Sequence, residues 1–117
     1  CGVRILTPTD LVATKLLAND DRWADTSTFS RDLIDLAMMK PDTTDLKAGA
    51  RKAVDAYGET VGESLDRAVA YLRDRPQRLD EYIRALKIDA PRAVVWQSIR
   101  DLSARCAKLE GLRRRSD

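Results

Sequence analysis

Residues 91–109, PRAVVWQSIRDLSARCAKL, contain an apolar stripe that decides the fold class of the chain. The stripe consists of Val95, Ile99, Leu102, Cys106 and Leu109, which follow one another at intervals of four, three, four and three residues. This spacing places all five side chains on one face of an α-helix, whereas a strand would require strict alternation. The segment therefore predicts an amphipathic helix in a helical core, with docking of a partner helix as the alternative use of the same face.

Three stripes with helical spacing precede this segment. They are Leu46, Ala50, Ala53 and Tyr57; Val61, Leu65, Ala68 and Leu72; and Leu79, Tyr82, Ile83 and Leu86. Gly58 ends the first of these helices, and the second ends before Pro76, because glycine favours helix ends and proline restricts the residue before it. Asp89 or Ala90, followed by Pro91, opens the last helix.

The N-terminal part of the chain begins with a short extended segment, residues 3–6. Thr7 can accept a hydrogen bond from the first turn of a helix, and Pro8 suits the first helical position. These two residues predict a helix that runs to about Asn19.

A second helix is predicted from Ser27 or Thr28 to about Met39, because Pro41 then prevents its continuation. Together with the four later stripes, this indicates an all-α fold. We expect a single helical domain over residues 1–117, built as a bundle of about six helices with a short extended N-terminal segment.

The composition excludes several classes of site. There is no His among the 117 residues and only two Cys, so His-based triads, His-ligated zinc and Cys-only zinc sites are excluded. Cys106 is predicted to be a buried free thiol, and the cysteine usage predicts a cytoplasmic protein. No apolar run approaches the roughly 20 residues of a membrane span. The 21 basic residues are nearly balanced by 19 acidic ones, which makes nucleic-acid binding by scattered basic residues a weaker hypothesis.

Lys15 is a candidate site residue because its helical neighbours are mostly apolar. Leu11, Val12 and Ala18 lie three or four residues away, and Asn19 is the polar neighbour. The stem of such a lysine crosses apolar surface and places its ammonium group at one defined point. This predicts either ordinary packing of the stem or a cation held at a site.

Two carboxylates on the second helix are candidates for the same site. Asp32 borders the apolar stripe of that helix and is predicted to be partly desolvated, so it needs a partner. Lys15 on the preceding helix is the predicted partner. Asp35 is predicted to point to nearly the opposite side of this helix from the apolar stripe, where it pairs with Arg31 or faces solvent. A structural ion pair and a catalytic pair would have the same sequence pattern.

Two stretches taken together resemble a known family. They are LTPTDLVATKLLAN (residues 6–19) and SRDLIDL (residues 30–36), with Asp21-Arg22 between them. The pattern resembles the AbiEii/AbiGii-type nucleotidyltransferase toxins of the polymerase-β-like nucleotidyltransferase superfamily. In that family a Pro-led helix with a lysine is followed by a helix with an Arg-Asp-x-x-Asp-like element. The resemblance covers about residues 3–39.

The resemblance implies a role for each matching residue. Lys15 would bind the nucleoside triphosphate or the transition-state charge, and Asp32 would act as general base or hold an adjoining group. These two are the implied catalytic residues, and Arg31 and Asp35 are the implied supporting ones. For the complete enzyme the family also implies Mg²⁺, a nucleoside triphosphate, RNA as a candidate acceptor and an antitoxin protein as partner.

The first two motifs of the family, a Gly-Ser turn and a pair of acidic residues on a sheet, do not occur in this sequence. We therefore expect the chain to be the C-terminal helical part of a larger nucleotidyltransferase, with no metal or cofactor expected for this chain alone. Val3, Ile5, Leu11 and Leu17 would then keep apolar surface exposed or cover it by self-association. The alternative is a helical protein-interaction module with no catalytic activity, which would bury the same residues within one chain.

Overall fold

Six α-helices make up most of the described part of the chain, and that part contains no strand. The computed structural model describes residues 7–25 and 30–109. The helices are α1 (Pro8–Arg22), α2 (Arg31–Met39), α3 (Thr43–Tyr57), α4 (Thr60–Asp74), α5 (Pro76–Ala85) and α6 (Arg92–Ala107). The predicted all-α fold is confirmed. The extended segment predicted for residues 3–6 and the helix start predicted at Ser27 or Thr28 lie outside the described residues.

Side-chain caps begin two of the helices. The Thr7 hydroxyl accepts a hydrogen bond from the Asp10 amide at 3.1 Å, as predicted, and Pro8 occupies the first turn of α1. The Asp42 carboxylate accepts the corresponding bond from the Asp45 amide at 2.8 Å and begins α3. Each cap satisfies an amide that has no partner within its own helix.

The ends of the first three helices have different causes. α1 extends to Arg22, almost a turn beyond the predicted end at Asn19. α2 lies between Ser30 and Lys40, which both adopt left-handed backbone conformations with φ of 53° and 49°. α3 ends at Gly58, whose φ of 81° is readily adopted by glycine alone.

The predicted apolar stripes form the core or pack against it, with one exception at an end. All members of the α4 stripe are buried, and so are Val95, Ile99, Leu102 and Cys106 of α6. Tyr57 is the exception, because 47% of its surface is exposed at the end of α3. The start of α6 also differs from the prediction, since Pro91 is its N-cap residue and the helix begins at Arg92.

The packing of α1 fixes the position of the candidate lysine. α1 packs against α2, α3 and α4. Its approach to α3 is close at Gly49, where an added Cβ atom would lie 2.6 Å from the Cβ and Cγ1 atoms of Val12 and 2.8 Å from the Thr9 carbonyl oxygen. Only glycine allows this separation of the two backbones.

The outer side of α1 retains some apolar exposure. Val12 and Leu16 are buried, whereas Leu11 and Leu17 are only partly buried, and Leu17 packs at the edge of the core. These two leucines show the residual exposure that the sequence predicted. Val3 and Ile5, to which the same prediction applied, lie outside the described residues. None of the described helices combines the length and the apolar character that crossing a bilayer requires.

Candidate functional site between α1 and α2

The candidate site lies where α1 packs against α2, and its first element is an accessible ion pair. The Lys15 Nζ atom donates a hydrogen bond to Asp35 Oδ2 at 2.9 Å. The lysine side chain is 23% exposed and the aspartate side chain 36% exposed. The stem of Lys15 is therefore mostly covered, as predicted, while its charged end stays within reach of solvent.

A second cation lies beside the same carboxylate. The Nε atom of Arg31 is 3.7 Å from Asp35 Oδ2, one helical turn away on α2. The predicted pairing of Asp35 with Arg31 is thereby confirmed. Two positive groups thus meet one negative group, so this corner of the surface has a local excess of positive charge.

Asp32 has a different partner from the one predicted. Its two carboxylate oxygens accept hydrogen bonds from the Nη2 atom of Arg22, at 3.0 Å and 2.9 Å. The side chain of Asp32 is only 7% exposed, whereas that of Arg22 is 52% exposed. The predicted direct pair between Lys15 and Asp32 is wrong.

The register of the two helices explains this correction. Lys15 and Arg22 are seven residues apart and lie on one face of α1, and Asp32 and Asp35 are three residues apart and lie on one face of α2. Asp35 was predicted to point away from the apolar stripe of α2 and to pair with Arg31 or face solvent. It does pair with Arg31, but its contact with Lys15 shows that it also meets α1, which was not predicted. The later residue of α1 meets the earlier residue of α2, as in two helices that pack antiparallel.

The sequence prediction did not identify Arg22 as the partner of Asp32. The predicted end of α1 at Asn19 left Arg22 in a loop, whereas the observed helix continues to Arg22 and directs it towards Asp32. Asn19 itself is buried between the positions of the two cations on α1, and its Nδ2 atom has no hydrogen-bond partner in residues 7–25 and 30–109. An unsatisfied buried donor of this kind costs about 1–3 kcal/mol.

The described residues do not fit a magnesium ion at this site. Mg²⁺ prefers several carboxylate oxygens and water in octahedral geometry. Both oxygens of Asp32 are occupied by Arg22, and Asp35 is bound by two cations. No group of three or more potential metal ligands occurs in residues 7–25 and 30–109. Any metal that the family chemistry implies would need other carboxylates.

Cys106 is not a reactive group in this fold. Its thiol is free and buried, as predicted, and burial raises its pKa to about 12. The thiolate is the nucleophilic form of cysteine, so a thiol that stays protonated at neutral pH is inert. With Cys106 excluded as a reactive group, the candidate site consists of the accessible charged cluster of Lys15, Asp35 and Arg31 between α1 and α2.

One comparison with known proteins gives a match. The family model described as "Nucleotidyl transferase AbiEii toxin, Type IV TA system" matches residues 1–109. The matched range contains all six described helices and both ion pairs between α1 and α2. No curated protein and no solved structure matches the chain.

Proposed function

The chain belongs to the AbiEii nucleotidyl transferase toxin family of type IV toxin–antitoxin systems, and we propose that its helices supply the phosphate-binding lysine of the transfer site. Membership in a toxin–antitoxin family implies an antitoxin partner. We also propose roles for the individual residues of this site. The observation that supports them is the accessible Lys15–Asp35 pair, with Arg31 beside it.

Lys15 is the group that would bind the triphosphate. An ammonium group has three N–H donors and no acceptor, and one of its donors is directed at Asp35 Oδ2. Two donors therefore remain for phosphate oxygens. Because Asp35 holds the ammonium group in place, little side-chain entropy is lost when the nucleotide binds.

Asp35 is the carboxylate that we assign beside the reacting atoms, in place of Asp32. Lys15 and Arg31 both contact its Oδ2 atom. No described residue donates a hydrogen bond to its Oδ1 atom. In nucleotidyl transfer the acceptor hydroxyl oxygen forms a bond to the α-phosphorus, the bond to the bridging oxygen breaks, and pyrophosphate leaves. The hydroxyl proton would pass to Asp35 as general base.

Asp32 then has the second of the two roles that the resemblance implied, which is to hold an adjoining group. Its buried carboxylate fixes Arg22 and thereby the end of α1 against α2. It acts through helix packing and is a positioning residue, while Arg31 remains a supporting cation for Asp35.

We further propose that these helices are the C-terminal part of a nucleotidyltransferase whose sheet and metal-binding carboxylates are formed by other sequence. The described residues contain no strand and no fitting magnesium site. The chain alone should therefore bind nucleoside triphosphate and Mg²⁺ weakly or not at all. Tight, Mg²⁺-dependent binding in a calorimetric titration would show that the metal-binding carboxylates have been misassigned.

The catalytic role is tested in the full reading frame that encodes this chain. Purified protein is incubated with radiolabelled nucleoside triphosphate, Mg²⁺ and total RNA, and label incorporated into RNA is measured. Lys15→Gln should lower incorporation at least a hundredfold, because a positioned cation that stabilises transition-state charge contributes roughly that much.

The matched control is Lys52→Gln. Lys52 also pairs with an aspartate of α1, Asp10, but at an exposed position between α1 and α3. Its substitution should leave incorporation within about twofold, since exposed ion pairs contribute little to packing. Equal losses in both variants, or full activity of Lys15→Gln, would contradict the assignment.

A further inference from the structure

A cleft of about 380 Å³ lies between the C-terminal end of α2 and the C-terminal half of α6. Its apolar lining includes Ala37, Pro41 and Leu102, which are all buried. The volume lies at the lower end of the range that pockets for small ligands occupy, about 300–1,000 Å³. It therefore admits a molecule of mononucleotide size.

The charged lining of this cleft is mainly positive. Lys40, Arg105 and Lys108 line it together with one carboxylate, Asp101. Asp101 already accepts a hydrogen bond from Gln97 Nε2 at 2.9 Å. The side-chain ammonium groups of Lys40 and Lys108 have no hydrogen-bond or ion-pair partner among the described residues. Three cations thus face one carboxylate that is already engaged.

Arg105 ties the two walls of the cleft together. Its Nη2 atom donates a hydrogen bond to the Pro41 carbonyl oxygen at 2.5 Å. A guanidinium has five N–H donors, so several remain for a ligand while one fixes the side chain. A cation held in this way is positioned in advance for an anion.

Lysine and arginine near helix C-termini also offset the helix dipole, and this alone would explain their presence. It does not explain why cations from two different helices line one concave space with a buried apolar floor. That combination is typical of a site for a ligand that has both an anionic group and an apolar part.

We propose that this α2–α6 cleft binds a phosphate-bearing molecule, with the phosphate between Lys40, Arg105 and Lys108 and its apolar part on the floor. The phosphate would come from a free mononucleotide or from the phosphorylated end of an oligoribonucleotide. The cleft is separate from the Lys15–Asp35 pair, since Asp35 and Ala37 are two residues apart on α2 and face different sides of it. The inference therefore goes beyond the proposed transfer site.

The test is a titration of the ¹⁵N-labelled chain with AMP, with uncharged adenosine as the comparison. Amide shift changes should concentrate in residues 37–40 and 98–108 and saturate at millimolar AMP or below, whereas adenosine should bind at least tenfold more weakly. A 5′-phosphorylated trinucleotide distinguishes the two sources: tighter binding than AMP indicates an oligoribonucleotide end, and equal binding a free mononucleotide.

Matched variants localise the phosphate. Lys40→Gln and Lys108→Gln should each weaken AMP binding roughly fivefold, the size expected for loss of one partly exposed charge contact. Lys87→Gln is the control, because Lys87 is also an exposed lysine with a left-handed backbone, φ 56°. It follows α5 and does not line the cleft.

Two results would overturn the proposal. The first is AMP binding that Lys40→Gln and Lys108→Gln leave unchanged, or no AMP binding at all. The second is loss of binding in Lys15→Gln with shift changes around Asp35, which would locate the phosphate at the α1–α2 site. Retained binding in Lys15→Gln, together with loss in the cleft variants, supports the cleft even if the proposed transfer function fails.

Discussion

Each of the two ion pairs between α1 and α2 joins a basic residue of α1 to an aspartate of α2, and the two aspartates have opposite environments. Asp32 is buried, and Arg22 occupies both of its oxygens, whereas Asp35 and Lys15 remain partly exposed. On α2, a spacing of three residues therefore separates a buried carboxylate that fixes the packing from a partly exposed carboxylate that a ligand can reach. The acidic residue is aspartate in both pairs, so its depth at the helix interface distinguishes the structural pair from the candidate catalytic pair.

The largest effect should separate the two aspartates by activity. In the full reading frame, Asp35→Asn should lower nucleotide incorporation about a hundredfold, since a general base contributes about 10²–10⁴-fold. Asp32→Asn should lower it less than tenfold, provided that the assay is run where the variant is folded. The reverse order would return the general base to Asp32 and would break the comparison.

The next largest effect concerns the close contact between α1 and Gly49 of α3, which helps to position Lys15. Gly49→Ala should lower the free energy of unfolding by about 2 kcal/mol, because overpacking costs about 3 kcal/mol and alanine returns about 1 kcal/mol of helix propensity. Urea denaturation measures this change. Ala48→Gly, at the exposed neighbouring position of α3, is the control and should cost only the propensity difference of about 1 kcal/mol. A stabilised Gly49→Ala variant would mean that α1 and α3 can separate freely.

A smaller effect should separate the same aspartates by stability, in the opposite order to activity. Asp32→Asn should lower the free energy of unfolding by about 1.5 kcal/mol, less than the 3–5 kcal/mol of a fully buried pair, because the half-exposed Arg22 can return to water. Asp35→Asn should change it by about 0.5 kcal/mol or less, as exposed pairs do. Thermal or urea unfolding measures both, and equal costs would show that burial does not distinguish the pairs.

The smallest effect concerns the exposed pair of Asp10 and Lys52. The hydrogen bond from Lys52, and then that from Thr7, lower the pKa of Asp10 below its ordinary value of 3.8 in the folded protein. The stabilisation is thus fully present above pH 3.8 and is lost as the pH falls through the lower folded value. Asp10→Asn should flatten the pH dependence of stability only in that acidic range. A difference in slope at neutral pH would contradict this origin.

The fold could be predicted in large part because helix formation is a local matter. The stripes of α3 to α6 gave most of the buried residues of those helices, and Thr7, Gly58 and Pro76 marked helix ends. Errors occurred where the chain had no strong stop signal. No glycine or proline lies between Asn19 and Arg22, so nothing in the pattern marked the residue at which α1 ends.

The sequence identified several charged side chains at the α1–α2 interface, and it gave their pairing only in part. Lys15, Arg31, Asp32 and Asp35 were identified from the sequence, whereas Arg22 was not. The Arg31–Asp35 pair follows from the spacing of these two residues within one helix. The predicted partner of Lys15 was Asp32, whereas the structure pairs Lys15 with Asp35 and Asp32 with Arg22. Spacing along one helix gives no information on the register of another, so the sequence could not predict these partners.

The sequence by itself determined the helical periods, the identity of the charged groups and the family to which the chain belongs. The tertiary structure decided which aspartate is buried, which cation each one meets and where a cleft opens between α2 and α6. The physical reason is that local spacing fixes the face of a residue on its own helix. Depth and partners depend on the close approach at Gly49 and on the antiparallel register of α1 and α2, which form only when the whole bundle packs.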